Sequence, residues 1–302
     1  MNILVTGGSG FIGRNIVKLL KEEGNRVATL DVKDKNSVAD YHVMSDVRNL
    51  PMVQKACKGM DYVFHLAAVT SPPEFENPLG EGYSVNVMGT YNVLAASAAN
   101  GVKRVILASS SSIYGSTPEP AKEESQVDSF SNLYPLTKKI NEMTAYFFLT
   151  HNLETVSLRY FNTYGTGENS KGSYSSVIWK FIENIKNRVR PVIFGNGNQS
   201  RDFVYVKDTA RASVLAMEKG IPGEVYNVGT GKSTDFNTIF KIVKDETGYE
   251  GDAGYFPVPF KSYQMFTLAD MTKTKRELNF EPTYDVRTGV KMILKEVEDI
   301  NG

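Results

Sequence analysis

The stretch ILVTGGSGFIG, residues 3–13, decides how this chain folds. An apolar run of strand-forming residues ends in three glycines, Gly7, Gly10 and Gly13, and a helical pattern follows directly. In such a turn the first glycine permits the sharp bend, the second lets the main chain approach a pyrophosphate, and the third lets the helix pack against the strand. The stretch therefore predicts a phosphate-binding turn between a first strand and a first helix.

An acidic residue, Asp31, ends the second predicted strand, 18 residues after Gly13. A carboxylate at this place can accept hydrogen bonds from both hydroxyls of an adenosine ribose, and it repels a 2′-phosphate. The sequence thus predicts a dinucleotide site that prefers NAD to NADP, a preference that Lys33 and Lys35 nearby would weaken. An ordinary turn beside a surface aspartate is the competing interpretation, and the combination of strand, turn, helix and acid disfavours it.

Outward from this turn, short β-branched runs alternate with longer helical patterns. Strands are predicted over residues 2–6, 26–31, 61–66, 102–109, 155–160 and 224–229, and helices over residues 11–23, 82–100 and 133–151. This order indicates right-handed strand–helix–strand units. The predicted fold class is therefore α/β, a Rossmann-type doubly wound parallel sheet with a smaller, interleaved C-terminal lobe.

The regular alternation breaks after Asn162, where glycine-rich turns and aromatic segments follow. We expect an NAD-binding domain over residues 1–162, to which residues 203–228 return. The substrate-binding lobe then comprises residues 163–202 and 229–302.

Composition and charge exclude several classes of partner. The 34 basic and 34 acidic residues cancel to a net charge of zero, so no overall field draws the chain to nucleic acid or to anionic lipid. One cysteine cannot form an internal disulfide, and no apolar stretch approaches the ~20 residues of a membrane span. The start of the chain lacks a signal-peptide pattern, and three histidines are too scattered for a zinc site. We expect a cytoplasmic protein with no metal, no nucleic acid and no membrane partner.

Two further motifs carry candidate chemistry. In YPLTK, Tyr134 and Lys138 are four residues apart in a helical pattern and project from one face. A lysine ammonium beside a phenol, whose unperturbed pKa is ~10, favours the phenolate, so Tyr134 can accept a proton. The serines at 109–112 end a predicted strand at the edge where parallel sheets place their ligands. The serines, Tyr134 and Lys138 are therefore expected to share one site with the dinucleotide.

With these motifs the chain resembles the extended short-chain dehydrogenases/reductases, and within them the nucleotide-sugar epimerases and dehydratases. The likeness runs through nearly all of the chain and consists of motifs in the family's order: TGGSGFIG, HLAA, SSSSIYG, YPLTK, LRYFNTYG, QSRDFVYVKD and YNVGTG. The resemblance implies that Tyr134 is the catalytic base, that Lys138 lowers its pKa and holds the nicotinamide ribose, and that Ser110 hydrogen-bonds the sugar hydroxyl being oxidised.

The resemblance also implies which residues bind the two ligands. Asp46 and Val47 would flank the adenine, and further residues would line the dinucleotide: Phe11, Ile12, Leu66, Ala67, Ala68 and Phe161. Asn162 and Arg201 would bind the diphosphate of a nucleotide sugar, since an amide donor and an arginine fork suit phosphate oxygens. A salt bridge with Asp202 is the alternative for Arg201. The stretch at 191–200 would hold the nucleotide base.

Two places depart from the general pattern of the family. Many members carry an Arg-x-Gly-Asp/Glu motif near residues 258–270, where this chain has Lys261 and Gln264. The stretch ENSKGSYSSV is similar to the ADP-heptose 6-epimerases, in which the lysine matching Lys171 is a second acid/base. Lys171 is thus a candidate substrate-binding residue, and a surface lysine in a glycine-bounded loop is the equal alternative.

The expected function is a nucleotide-sugar epimerase that inverts a sugar hydroxyl through a transient keto intermediate with bound NAD, first of all a UDP-glucose/UDP-galactose 4-epimerase. Ser111 and Ser112 stand where dehydratases of the family carry an Asp-Glu pair, which disfavours elimination of water. The alternatives are an ADP-heptose-type 6-epimerase, a nucleotide-sugar 4-ketoreductase or dehydrogenase, and a non-catalytic NAD-binding sensor. The helices at 82–100 and 133–151 carry apolar residues on more than one side, so the expected partners are the nucleotide sugar and a second copy in a homodimer.

Overall fold

A seven-stranded parallel sheet runs through the centre of the protein. The computed structural model describes residues 1–34, 38–70, 75, 80–115, 120–125, 127, 130, 132–259 and 263–301, and at residues 173 and 298–301 it describes the main chain only. The strands are β1 (Asn2–Thr6), β2 (Arg26–Asp31), β3 (Tyr41–Met44), β4 (Tyr62–His65), β5 (Arg104–Ser110), β6 (Glu154–Tyr160), β7 (Asn162–Tyr164), β8 (Val192–Phe194), β9 (Ser200–Tyr205), β10 (Val225–Val228), β11 (Ser233–Asp235) and β12 (Gly254–Phe256). The large sheet has the order β3-β2-β1-β4-β5-β6-β10, the arrangement of a doubly wound sheet.

Helices cover both faces of this sheet and build the rest of the molecule. They are α1 (Phe11–Glu22), α2 (Leu50–Cys57), α3 (Glu81–Tyr83), α4 (Gly89–Ala99), α5 (Leu133–Phe147), α6 (Val177–Lys186), α7 (Val206–Lys219), α8 (Phe236–Thr247), α9 (Thr272–Leu278) and α10 (Val286–Asn301). A π-helical turn, Ser84–Met88, joins α3 to α4. None of the described helices is long and apolar enough to cross a membrane.

The sequence pattern of β1 explains why helices pack on both of its sides. Ile3 and Val5 point into a core with α1 and α7, whereas Leu4 points into a second core with α2 and α4. All three are fully buried. A central parallel strand is apolar on both faces because each face is covered, and this places the end of β1 in the interior of the molecule.

A third apolar core lies around a small sheet of order β11-β9-β7. Its members come from β7, β9, α6, α8 and α10, among them Tyr164, Ile178, Phe203, Ile239 and Val290. The chain then returns to the large sheet through α7, which packs on α1, and through β10, which pairs with β6. We keep the lobe boundaries predicted from the sequence as a proposal.

The predicted α/β class and parallel sheet are confirmed, and each predicted strand or helix is present within about two residues at its ends. The predicted helix 82–100 comprises α3, the π-helical turn and α4, and the predicted helix 133–151 ends in a 3₁₀ turn, Phe148–His151. Up to β6, two elements were not predicted, β3 and α2. Both are short, and β3 lies at the edge of the sheet with a single buried residue, so neither makes a strong periodic pattern. Beyond β6, only the strand at 224–229 was predicted as an individual element.

Candidate active site

The glycine-rich turn between β1 and α1 leaves room for main chain only. Gly7 has a φ angle of +70°, and a Cβ atom on it would lie 2.6 Å from the main-chain nitrogen of Ala67. A Cβ atom on Gly13 would lie 2.1 Å from the carbonyl oxygen of Gly7. Gly10 precedes the first residue of α1, whose initial N–H groups have no partners within the helix. This is the geometry that a pyrophosphate-binding turn requires.

Asp31 ends β2 beside this turn, and main-chain groups hold its buried carboxylate. Oδ2 accepts a hydrogen bond from the N–H of Ser9 at 3.0 Å, and Oδ1 accepts one from the N–H of Lys33 at 3.0 Å. The side chain of Lys33 is exposed, and Lys35 lies outside the described residues. The carboxylate therefore stands next to the glycine turn, where a dinucleotide places its adenosine ribose.

Asp46 and Val47 follow β3 and lie beside the same edge, since the N–H of Ser45 donates to the carbonyl oxygen of Asp31 at 2.9 Å. The guanidinium of Arg48 binds both carboxylate oxygens of Asp46, at 3.0 and 2.7 Å, and this holds the pKa of Asp46 below its usual range. Asn92 of α4 donates to the carbonyl oxygen of Val47 at 3.1 Å. These contacts fix the pair where an adenine ring would end, with the Asp46 carboxylate already engaged by Arg48.

The other residues predicted to line the dinucleotide lie along this edge of the sheet. They are Phe11 and Ile12 at the start of α1, Leu66, Ala67 and Ala68 after β4, and Phe161 after β6. The close approach of Ala67 to Gly7 brings the loop after β4 against the glycine turn. Together with Asp31, these residues fit an adenine dinucleotide with an unphosphorylated ribose.

The candidate catalytic side chains meet where β5 ends and α5 begins. Ser110 is the last residue of β5 and opens the serine turn, residues 110–114, where its Oγ accepts a hydrogen bond from the N–H of Ser112 at 3.2 Å. Its side chain also lowers the pKa of Tyr134, against the larger effect of burial. Asn132 caps α5 by accepting a hydrogen bond from the N–H of Tyr134 at 3.0 Å. Lys138 lies one helical turn further, with Nζ 5.8 Å from the centroid of the Tyr134 ring and 2.8 Å from the carbonyl oxygen of Ala108. The structure thus brings together all three side chains predicted to be catalytic.

Burial and the neighbouring groups change how these side chains titrate. Burial raises the pKa of Tyr134 above its ordinary value, and the hydrogen bond with Ser110 opposes this. Burial lowers the pKa of Lys138 to about 8, and the carboxylate of Glu142 opposes that shift. At neutral pH Lys138 therefore still carries mostly its positive charge, close to the phenol.

His65 at the end of β4 belongs to a buried row of hydrogen bonds. Its Nδ1 lies 2.7 Å from the hydroxyl of Thr6, and its Nε2 lies 3.0 Å from the hydroxyl of Thr90, which itself donates to the carbonyl oxygen of Asn86. Burial, followed by the charge of Lys138, lowers the pKa of His65 to about 3. The imidazole is therefore neutral at physiological pH and links β1 and β4 to α4.

Sequence reasoning missed Asn86, which lies fully buried in the π-helical turn. Its side chain accepts a hydrogen bond from the N–H of Val69 at 2.8 Å and donates to the carbonyl oxygen of Val69 at 3.0 Å. It also donates to the hydroxyl of Thr137, and Thr137 donates to the carbonyl oxygen of Tyr134 at 2.7 Å. Asn86 thereby ties the loop after β4 to the first turn of α5. A π-helical turn often marks such a place, but the apolar periodicity gave no sign of it.

Arg201 of β9 is a buried cation at the side of the site opposite α5. Its guanidinium lies 5.6 Å from the ring centroids of both Phe236 and Tyr263 and donates to the carbonyl oxygen of Gln264. Within the part of the chain that the structure describes, Arg201 forms no salt bridge. Asp202 instead accepts hydrogen bonds from the loops at 230–231 and 269. The guanidinium therefore has a positive charge that a phosphate could neutralise.

Asn162, the first residue of β7, lies on the strand next to β9. Its Oδ1 accepts a hydrogen bond from the hydroxyl of Thr267 at 3.1 Å, and the N–H of Asp202 donates to that same hydroxyl oxygen at 3.0 Å. This arrangement fixes the amide group and leaves its NH₂ as the donor for a ligand. Thr267 was not singled out from the sequence, because its role depends on contacts far apart in the chain.

The segment 264–268 closes one side of the space between Arg201 and the serine turn. It is attached through the main chain, since the N–H of Ser200 donates to the carbonyl oxygen of Met265 at 3.0 Å and the N–H of Thr267 donates to that of Ser200 at 3.2 Å. A small cavity separates it from the serine turn and is lined by Ser111, Tyr114, Gly115, Ala121, Phe161, Gln264, Phe266, Thr267 and Leu268. The segment 264–268 therefore contacts Gly115, directly after the serine turn, and the predicted diphosphate-binding residues Arg201 and Asn162.

Lys171 contacts a buried carboxylate and an aromatic ring at the start of α1. Nζ of Lys171 pairs with the buried carboxylate of Glu168 at 3.1 Å and lies 5.3 Å from the ring centroid of Phe11. None of its contacts in the described residues is with the three predicted catalytic side chains, so the structure does not bring it to them. Lys261 lies outside the described residues. Gln264 uses its side-chain amide to bind the carbonyl oxygen of Gly115.

The candidate metal ligands do not cluster in the described ranges, where no group of three or more His, Cys, Asp or Glu side chains could hold an ion. Cys57 is buried and its pKa is raised to about 11 by burial, so its thiol stays protonated. The site must therefore be interpreted from its hydroxyls, ammonium and guanidinium groups.

Comparison with known proteins agrees with this geometry. Residues 3–229 match the model of the NAD-dependent epimerase/dehydratase family. A protein of Methanocaldococcus jannaschii named as a putative UDP-glucose 4-epimerase is 34% identical, with 99% of each chain covered. A solved structure of UDP-glucose 4-epimerase with UDP-glucose from Thermotoga maritima is 33% identical, with 100% of both chains covered and a TM-score of 0.94.

A third similar protein takes a different sugar. The structure of a UDP-N-acetylglucosamine 4-epimerase from Methanobrevibacter ruminantium, in complex with UDP-N-acetylmuramic acid, is 32% identical over 98% of both chains, with a TM-score of 0.89. The matches confirm the predicted resemblance, the predicted cofactor NAD and the predicted class of enzyme, a nucleotide-sugar epimerase. The chain belongs to the NAD-dependent epimerase/dehydratase family.

Proposed function

We propose that this protein is a UDP-hexose 4-epimerase that interconverts UDP-glucose and UDP-galactose. The observation that carries the proposal is the ammonium of Lys138 5.8 Å from the ring of the buried Tyr134, at the end of the strand that carries Ser110. A hydroxyl donor, a proton acceptor and a fixed cation at a dinucleotide edge suit removal of a proton from a sugar hydroxyl. The similar proteins named as UDP-sugar 4-epimerases support C4 as the carbon.

Ser110, Tyr134 and Lys138 each have a separate task in the proposed reaction. Ser110 holds the 4-hydroxyl of the sugar, and Tyr134 takes its proton as that carbon is oxidised to a transient ketone. NAD, when bound to the glycine turn and Asp31, supplies the group that accepts a hydride and gives it back. The ketosugar rotates in the pocket, so that its other face is presented for reduction. Tyr134 returns the proton to the oxygen as the carbonyl carbon is reduced from that face. Lys138 holds the nicotinamide ribose and keeps positive charge beside the phenol, which favours the phenolate despite burial.

The substrate end of the proposal depends on Arg201 and Asn162. The guanidinium of Arg201 donates to main-chain carbonyls but forms no salt bridge among the described residues, and Asn162 presents an amide donor on the neighbouring strand. Both suit the diphosphate of a nucleotide sugar, which carries its charge between the base and the sugar. The ADP-heptose-type alternative depended on Lys171, whose contacts are with Glu168 and Phe11, so we rank it below the UDP-hexose proposal.

Proton NMR of the purified protein mixed with UDP-galactose, without added NAD, tests this proposal. We expect signals of UDP-glucose to appear and to approach a fixed ratio, because tightly held NAD is regenerated in each cycle. If no conversion occurs even with NAD supplied, UDP-galactose is excluded as the substrate. The same assay with UDP-N-acetylglucosamine and with UDP-glucuronate would then show whether the protein acts on a different UDP sugar. A stoichiometric rise in reduced cofactor would instead indicate a net dehydrogenase.

We also propose that the protein is a homodimer located in the cytoplasm. Large apolar side chains are exposed on the neighbouring helices α4 and α5 and on the turn before them: Met88, Tyr91, Met143, Tyr146 and Phe147. A patch of this kind on paired helices is typical of an interface around a two-fold axis. The cytoplasmic location remains a prediction from cysteine usage and from the sequence.

The double substitution Met143→Glu and Tyr146→Glu should convert the proposed dimer to a monomer. These side chains are 63% and 66% exposed, so two carboxylates there would repel across the two-fold axis without disturbing the core. The measurement is molar mass by light scattering after gel filtration. Met44→Glu is the matched control, because Met44 is 65% exposed on β3, away from these helices. A wild-type mass of one chain would refute the dimer.

A further inference from the structure

A buried carboxylate, Glu142, has no role in the proposed chemistry although it lies directly beneath it. It is on α5, four residues after Lys138, and is 5% exposed. Its Oε1 accepts a hydrogen bond from the hydroxyl of Ser109 at 2.6 Å and from Nε of Arg159 at 2.8 Å, and its Oε2 accepts one from Nη2 of Arg159 at 2.8 Å. A buried ion pair is costly to desolvate, so its presence calls for an explanation beyond stability.

Arg159 of β6 extends this contact to the other end of the serine turn. Its guanidinium lies 4.7 Å from the ring centroid of Tyr114, and its Nη1 donates to the carbonyl oxygen of Glu123 at 3.0 Å. The hydroxyl of Tyr114 in turn donates to Asn227 of β10 at 2.7 Å. Glu142 and Arg159 therefore hold both ends of the turn, through Ser109 before it and Tyr114 after it.

The charges around Glu142 come from two elements. They are Lys138 and Lys139 on α5 and Arg159 on β6. Beyond them, Tyr114 in the serine turn is the titratable group that faces both Arg159 and Glu142, and Glu123 on the loop before α5 and His65 on β4 act on Arg159 and Lys138. Burial lowers the pKa of Lys138, and Glu142 is the group that opposes this. Removing the negative charge would therefore favour neutral Lys138 at physiological pH. The phenol of Tyr134 would then lose a nearby cation, and its pKa would rise.

We propose that Glu142 is a positioning residue for the reaction: through Ser109 and Arg159 it holds Ser110 within hydrogen-bonding reach of Tyr134, and it places a negative charge beneath Lys138. The inference rests on the proposed function, because it assumes that Tyr134 transfers a proton. The two roles can be separated at Ser109, which takes part only in the first, so that its replacement leaves the charge of Glu142 and the ion pair with Arg159 in place.

The test is the ionisation of Tyr134 in the Glu142→Gln variant. Tyrosinate absorbance is titrated in the NAD-bound protein and in the same protein with Tyr134→Phe, and the difference gives the pKa of Tyr134 alone. Glu142→Gln should raise this pKa by about 1 unit and reduce turnover of UDP-galactose at pH 7 about tenfold. Turnover should recover in part at higher pH, because more of the phenol is then ionised.

Ser109→Ala is the matched control, since it removes a hydrogen bond to Glu142 and leaves the charge. It should reduce turnover about fivefold and raise the pKa of Tyr134 less than Glu142→Gln does, because only the influence of Ser110 on the phenol is weakened. Glu142→Gln leaves Arg159 without its buried partner and can unfold the protein. The double variant Glu142→Gln with Arg159→Gln avoids this, and we expect a smaller rise in the pKa of Tyr134 in it. An unchanged pKa of Tyr134 in both Glu142 variants would overturn the inference. If the wild type converts no UDP sugar, the proposed function fails, and the titration still decides the role of Glu142.

Discussion

Replacing Tyr134 by phenylalanine should reduce the rate of epimerisation by about 10²-fold or more, the loss expected when a general base is removed. The phenol oxygen is the only atom lost, and the ring can keep its edge contact with Phe75, whose centroid lies 6.1 Å away. Turnover is measured by proton NMR with UDP-galactose as substrate, at saturating concentration.

The control for this substitution is Tyr146→Phe on the same helix. Tyr146 is exposed, so loss of its hydroxyl removes no buried contact, and its apolar ring is kept for the proposed dimer. This variant should turn over UDP-galactose at the wild-type rate. If Tyr134→Phe lost less than about fivefold, another group would have to accept the proton, and the assignment of Tyr134 as base would fail.

The second large effect is expected from Gly7→Ala, which should give a protein without resident NAD. The new Cβ atom would lie 2.6 Å from the main-chain nitrogen of Ala67, so the turn and the loop after β4 must separate. The φ angle of +70° adds strain of about 1–2 kcal/mol for any residue with a side chain. The NAD content of the purified protein and its melting temperature are the two measurements.

Gly101→Ala separates these two effects. Gly101 has a φ angle of +69°, nearly that of Gly7, but a Cβ atom there would have no neighbour within 4 Å. It should therefore lower the melting temperature modestly and leave the NAD content unchanged. Equal NAD content in the Gly7 and Gly101 variants would show that the close approach to Ala67 has no part in cofactor binding.

Much of the fold could be predicted because its signals are local. The strand, three glycines and helix at 3–22 define the first unit by themselves, and the central strands are apolar on both faces. The edge strand β3 has only one buried residue among four, Val43, so it lacked such a signal. The π-helical turn within 82–100 was also missed, because its cause is the tertiary contact of Asn86 with Val69 and Thr137.

Part of the candidate site could likewise be predicted from local motifs, and part of it could not. Ser110, Tyr134 and Lys138 lie in motifs that the sequence displays, and the structure brings them together. Glu142 could not be identified, because a glutamate four residues after a lysine on a helix is usually a solvated pair, and its burial depends on Arg159 from β6. The surroundings of Arg201 were equally hidden: the sequence offered its neighbour Asp202 as a partner, and the two side chains make separate contacts.

The main-chain attachment of the segment 264–268 has a consequence for how such enzymes diversify. Since N–H and carbonyl groups join it to Ser200, side chains other than Thr267 and Gln264, which make contacts of their own, can change without loss of that attachment. The serine turn and α5, which carry the proton chemistry, are held by other residues, Asn86 and Glu142. Mutation can therefore reshape this wall of the cavity while the supports of the serine turn and α5 stay in place.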